Sequence, residues 1–279
     1  MSLFENREIT IATKHGKERC LAPLLESALN LRCTVPHQFD SDVFGSFCGS
    51  VQRKRDPLTT ARMKCVGAMA LTGTDMAIAS EGSFGPHPES FFGAVDDEIV
   101  LLVDRKNGLE IVGRAISAET NFSGMTVRSE SELLDFANSA LFPSHGLMIR
   151  RLKDHPIDLH KGLTDNKTLL NHCRRLLRLY GEAYVETDMR AMLNPSRMKV
   201  IAMAAKDLIK RALSNCPECN TPGFGITDTR PGLPCELCGF PTKSISSLIY
   251  ACRKCGHRDE IKSQNRKTED PQYCDNCNP

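Results

Sequence analysis

Tryptophan is absent from this 279-residue chain and tyrosine occurs only four times, so broad aromatic platforms for stacking bases are not expected. No run of about 18 apolar residues exists, which argues against a membrane-spanning helix. Charge of one sign is also missing: the net charge of +2 says nothing of a polyanionic partner. The first ten residues include Glu5, Arg7 and Glu8 and no apolar stretch, unlike a secretory leader. Five cysteines (Cys20, Cys33, Cys48, Cys65 and Cys173) are scattered, as thiols of a reducing compartment are, and a cytoplasmic protein is expected.

What is present is a pattern. Eight of the 13 cysteines form four Cys-x-x-Cys pairs near the C-terminus: Cys216/Cys219, Cys235/Cys238, Cys252/Cys255 and Cys274/Cys277. Two thiolates three positions apart grip one tetrahedral metal ion, and two such pairs complete a closed site with no position open for water. Four pairs therefore predict two structural zinc ions. Three pairings of the pairs are conceivable, and the sequential one, first with second and third with fourth, is the preferred expectation. Between Cys216 and Pro279 eight Lys/Arg face eight Asp/Glu, and each zinc with four thiolates adds about two negative charges. Contact with a protein partner is thus favoured over contact with nucleic acid, whose phosphates need positive charge.

Upstream, strand and helix signals alternate. Ile9–Thr13 reads as a buried strand, and Leu21, Leu24, Leu25 and Leu29 mark a helix. Leu31–Val35 reads as a second strand. Asp56-Pro57 starts a helix that stops before Gly73. Met76–Ala79 is a strand expected to end in a loop over Ser80–Pro86. Glu98–Asp104 and Leu109–Ser117 form a hairpin about Asn107-Gly108. Ser129-x-x-Glu132 opens a further helix, Leu147–Leu152 suggests an edge strand, and Thr164–Gly181 and Pro195–Leu213 read as helices. The expected architecture is α/β: a mixed-sheet domain over 1–128, a mainly helical extension over 129–214, and a double zinc ribbon over 215–279.

In an open α/β sheet, ligands bind off the carboxyl ends of strands. Two such ends are polar: Thr13-Lys14-His15-Gly16-Lys17 and Ser80-Glu81-Gly82-Ser83. Thr13, His15, Lys17 and Ser83 are candidate phosphate ligands, and Glu81 is the candidate catalytic residue, holding Mg2+ or orienting water. The alternative is a solvated loop at each place. A second polar run joins Glu186, Asp188, Arg190, Asn194 and Arg197; Arg190 is a candidate phosphate clamp, or else a salt-bridged loop residue. Arg174, Arg175 and Arg178 read as a solvated face, and His87, His160 and His172 as structural or surface residues.

Ala12-Thr13-Lys14-His15-Gly16-Lys17 resembles the Ala-Thr-x-Asn-x-x-Lys opening of the inosine-triphosphate pyrophosphatase superfamily. Thr59–Cys65 sits where that group has Glu-Asn-Ala-x-x-Lys-Ala, and Ala79–Gly85 where it has Asp-Asp-Ser-Gly-Leu. The resemblance implies phosphate binding by Lys17 and Lys64 and a Mg2+-dependent nucleotide (pyro)phosphohydrolase. His15 stands near the expected Asn, Thr59 and Thr60 replace the metal-binding Glu, and Glu81 stands for two aspartates. The alternative is a non-enzymatic nucleotide- or anion-binding protein whose ribbons contact a protein. Through Ser80–His87, Glu119–Phe122, Glu186–Pro195 and Gly232–Gly239, the whole chain is similar to a group of bacterial proteins known as a domain of unknown function, which implies no activity.

Overall fold

The computed structural model describes residues 3–44, 55–87, 90–262 and 266–279; Cys48 and the side chain of His87 lie outside what is described. The chain forms two compact units, Met1–Ile209 and Lys210–Pro279. The first begins with β1 (Glu8–Ile11), α1 (Glu18–Leu29) and β2 (Arg32–Thr34). Leu21, Leu25 and Leu29 give α1 its buried stripe, and left-handed Asn30 ends it with an N–H bonded to Glu26 O. α2 (Pro57–Thr72) starts where the Asp56 side chain accepts from Thr59 N, and stops at Gly73 with φ 73°. β3 (Met76–His87), β4 (Ser90–Asp104) and β5 (Leu109–Ser117) follow.

The sheet order is β2-β1-β3-β4-β5. β1 runs parallel to β2 and β3, and the β3-β4-β5 ladders are antiparallel. The sequence reading ended β3 at Ala79, but pairing with β4 carries it on, Glu81 facing Ile99 and Pro86 facing Ala94. The glycines that resemble a loop in sequence are tolerated because the long partner strand fixes the backbone. Ala77, Ala79, Leu101 and Val103 pack on Ala61, Cys65, Ala68 and Met69, so α2 covers one face of the sheet.

The next elements are β6 (Gly124–Val127), α3 (Glu130–Ser139), β7 (Leu147–Arg150), β8 (His160–Leu163), α4 (Asn166–Tyr180), β9 (Ala183–Thr187) and α5 (Pro195–Ala212). Within the expected mainly helical extension, helices outweigh strands, but β7, β8 and β9 join β6 in a four-stranded antiparallel sheet, β6-β9-β7-β8, with α3 and α4 packed on one side. β7 is an interior strand rather than an edge, as its four buried residues require. Its short strands lack the length to reveal themselves beside two strongly periodic helices. α5 closes on the other face of the first sheet. A Cβ on Gly113 would lie 2.2 Å from Ala204 O and 2.3 Å from Leu208 N, so β5 meets the helix backbone to backbone.

The second unit is a three-stranded antiparallel sheet, β10 (Gly225–Pro231), β11 (Ile245–Ala251) and β12 (Arg258–Lys262). No helix among the described residues is long and apolar enough to cross a membrane.

Candidate functional sites

The four cysteine pairs lie in tight turns at the strand ends. In three of them the first Cys N–H bonds the carbonyl five residues on, and its carbonyl accepts the N–H four residues on: Cys216 with Thr221 and Asn220, Cys235 with Phe240 and Gly239, Cys252 with His257 and Gly256. The fourth residue after each Cys is left-handed: Asn220 at φ 55°, Gly239 at 71° and Gly256 at 76°. Glycine and asparagine adopt that conformation at least cost. Each turn thus points two sulfurs to one side.

The sulfurs form two quartets, Cys216/Cys219/Cys252/Cys255 and Cys235/Cys238/Cys274/Cys277. This corrects the sequential pairing: first joins third and second joins fourth. The strands explain it. Antiparallel hairpins put the turn before β10 and the turn between β11 and β12 at one end of the sheet, and the other two turns at the opposite end. Sequential pairing would have to bridge the seven-residue strand β10, a span of about 23 Å.

The donor sets fit a tetrahedral ion. A metal–sulfur bond of about 2.3 Å implies sulfur–sulfur edges of about 3.8 Å. The edges found are 3.7 Å (Cys216–Cys255) and 3.6 Å (Cys219–Cys252) in one quartet, and 3.9 Å (Cys235–Cys277) and 3.7 Å (Cys238–Cys274) in the other. Cys219 Sγ also lies 3.2 Å from the Thr221 hydroxyl. Phe224 and Tyr250 pack around Cys216 and Cys252.

The first unit contains a buried polar centre where the carboxyl end of β1 lies beside the middle of β3. Lys17 Nζ donates to Ser80 O at 2.9 Å and Ser80 Oγ at 2.8 Å. Burial first, then the positive charge of Arg197, pull Lys17 down to about 8. His15 N donates to Thr13 Oγ1 at 3.2 Å, and its ring Nε2 lies 3.3 Å from Asp42 Oδ1. Burial lowers His15 to about 4 against the pull of Asp42, helped by Lys17, Arg197 and Arg190, so the ring is neutral at physiological pH.

Side chains alternate across β3, which separates two expected neighbours. Ser80 and Gly82 face α1 and α5, where Lys17 and Arg197 sit, whereas Glu81 faces α2 and forms an ion pair with Lys64. Ser83 shares the Glu81 face and is half-buried. Lys17 still feels the charges of Lys64 and Glu81 through the sheet. Arg190 is bound to Asp188, Nη2 to Oδ2 at 2.6 Å, and Asp188 also accepts from Gly162 N at 3.0 Å. The phosphate candidates Lys64 and Arg190 are therefore engaged with carboxylates. Glu81 does not fit the expected Mg2+ either: the Lys64 ammonium occupies its carboxylate, and among the described residues the only groups of three or more metal-ligating side chains are the cysteine quartets.

Sequence reasoning missed Asp96 and Glu98 and read Arg197 only as part of the polar run that could clamp a phosphate. Arg197 Nε donates to Glu98 Oε1 at 2.6 Å, and its N–H donates to Asn194 Oδ1 at 2.9 Å. Gly82 makes room: a Cβ there would lie 2.2 Å from Glu98 Oε1 and 2.9 Å from Arg197 Nη2. The signal was available as Asp96 and Glu98, spaced by two on either side of Asp97 in a long strand whose next five residues are apolar. Of the remaining polar residues, Arg174 pairs with Glu130 and Arg175 with Asp158 on the surface, and the His160 and His172 rings stack 3.7 Å apart.

No curated protein matches this chain. The crystal structure of lipoprotein GNA1162 from Neisseria meningitidis matches at 15% identity over 49% of this chain and 94% of that one, with a TM-score of 0.21, too loose an overlay to inform the fold. The family described as a domain of unknown function (DUF6671) matches residues 64–279, a span that takes in Glu81, Asp96, Glu98, Arg197 and all eight paired cysteines. By that match over most of its length, the chain belongs to this family.

Proposed function

We propose that this protein is a two-zinc protein whose first unit binds a phosphate-bearing small molecule, with nucleotides as the first class to consider. Two closed four-thiolate sets favour zinc in a structural role, since neither leaves a position for water. The metal-stapled sheet then serves as a protein-contact surface, in a reducing cytoplasm that keeps the thiols available. Two zinc ions per chain by elemental analysis, without the visible absorption of iron–thiolate centres, is the expected result. Iron in place of zinc would overturn the metal assignment.

One observation carries the ligand reading. Lys17 is a buried ammonium whose two bonds go to neutral oxygens of Ser80, at the carboxyl end of β1 and the start of α1. Its lowered proton affinity marks a place where an anion would be welcome. The resemblance of Ala12–Lys17 to inosine-triphosphate pyrophosphatases supports the same ligand class. Hydrolysis is the second reading, favoured by the buried acid Asp96. It does not route through Mg2+ at Glu81, for the reason given above.

The test is a panel of nucleoside di- and triphosphates and inorganic phosphate on the zinc-loaded protein, read as thermal shift and as phosphate release, with Mg2+ or Mn2+ present in parallel. Stabilisation lost in Lys17→Ala supports binding, and turnover lost in Lys17→Ala but retained in Glu81→Gln supports hydrolysis at this centre. No shift with any of these anions in a folded protein would sink the ligand reading and leave the zinc unit as the functional surface.

A further inference from the structure

Asp96 and Glu98 are two residues apart on β4, so both side chains leave the same face of the sheet. Their exposures are 1% and 0%. Two full negative charges so close and so dry would repel strongly, and one of them has no cation of its own. Arg197 Nε is bonded to Glu98 Oε1, whereas Glu98 Oε2 and Asp96 Oδ1 have no donor. A buried acceptor left unmet costs about 1–3 kcal/mol, more when charged. Two such acceptors on adjoining carboxyl groups share one simple remedy.

We infer that Asp96 and Glu98 share one proton, Asp96 carrying it as a neutral acid that donates to the Glu98 carboxylate, which Arg197 holds ionised. The two unmet carboxyl oxygens are then both answered: the guanidinium holds one oxygen of Glu98, and the acid O–H of Asp96 faces the other. The assignment of the charge follows from geometry, since the guanidinium is bonded to Glu98 and not to Asp96. The charged groups around Asp96 are few. Glu98 and Asp97 are on its own strand, Arg197 comes from α5, and Arg114 of β5 is bound to Asp97 at 2.8 and 2.6 Å. From β3, Phe84 faces Asp96 in the ladder, and its ring stacks on Phe122 with 5.5 Å between centroids, so the setting is apolar. Burial first, and the charge of Glu98 second, push Asp96 up to about 8. The pair thus supplies an acid that stays protonated at neutral pH beside Arg197. Its use on a ligand rests on the reading proposed above, whereas the sharing of the proton does not.

Asn at position 96 mimics the neutral acid, since its amide N–H can donate where the acid O–H did. In the zinc-loaded full chain, Asp96→Asn is expected to melt at or above the wild-type temperature near pH 8. The difference between the two curves should shrink as pH falls toward 5, because a raised folded-state value makes the wild type lose stability as pH rises toward 8. In isotope-edited infrared spectra of wild-type protein labelled at aspartate, a protonated carboxyl band is expected at pH 6.5, absent from Asp96→Asn. An Asp96→Asn chain that fails to fold, or melts lower at every pH, would overturn the inference, as would a wild-type spectrum without that band. These readouts need no ligand, so their failure is distinguishable from failure of the ligand reading.

Discussion

Arg197 Nε and Glu98 Oε1 meet at 2.6 Å across 99 residues of sequence, with both side chains fully buried. The pair ties the first turn of α5 to the middle of β4. Removing one partner strands the other charge, so Glu98→Gln or Arg197→Met should each cost about 3–5 kcal/mol in urea unfolding of the first unit. The double change of Glu98→Gln with Arg197→Met should cost less than the two singles added, because no charge is left alone.

Gly82 reports on the same contact from the other side. A methyl group there meets both Glu98 Oε1 and Arg197 Nη2, and the bond between Arg197 Nε and Glu98 Oε1 keeps the carboxylate from yielding. Gly82→Ala should therefore destabilise by an amount like that of Glu98→Gln, while Gly85→Ala, which meets nothing within 4 Å, should be close to neutral. Parallel thermal melts decide it.

Metal counting can read out the pairing directly. With first joined to third, Cys216→Ser with Cys252→Ser should lose one of two ions, and Cys216→Ser with Cys235→Ser should lose both. The sequential arrangement predicts the reverse. Chelation of both ions should unfold the three-stranded sheet, since structural zinc supplies roughly 10–16 kcal/mol per site; loss of amide dispersion in that unit is the measure.

Lys17 gives a pH dependence with a definite sign. Its folded-state value of about 8 lies below the usual lysine value of about 10.4. Between those values the unfolded chain binds more protons, so stability contributed at this site rises with pH across that window and is lost as pH falls through about 8. Lys17→Met should flatten that rise in pH-resolved melts. Anion binding should weaken over the same window as the ammonium loses its proton.

The helices were legible because their caps and periods are local: Asp56-Pro57 and Gly73 bracket α2 within a residue. The eight cysteines that could hold metal were equally plain. Their partnership was not, because it is set by which ends of β10, β11 and β12 lie together, a property of hydrogen bonds between strands. Glu81 misled for a related reason. A Ser-Glu-Gly-Ser run resembles a loop until β4 pairs with it, and alternation then turns Glu81 toward Lys64 and Gly82 toward Glu98. Asp96 and Glu98 escaped notice because two acids on a strand normally face water; only α5, arriving with Arg197 a hundred residues later, makes them interior.

The interleaved quartets close two loops, 216–255 and 235–277, that share the segment 235–255. The first ion bound removes much of the chain entropy that the second would otherwise have to overcome. Loading should then be cooperative: as zinc is added to the empty chain, species with one ion stay scarce and the fully loaded form appears alongside the empty one. A native mass spectrum taken at one equivalent of zinc would display that partition.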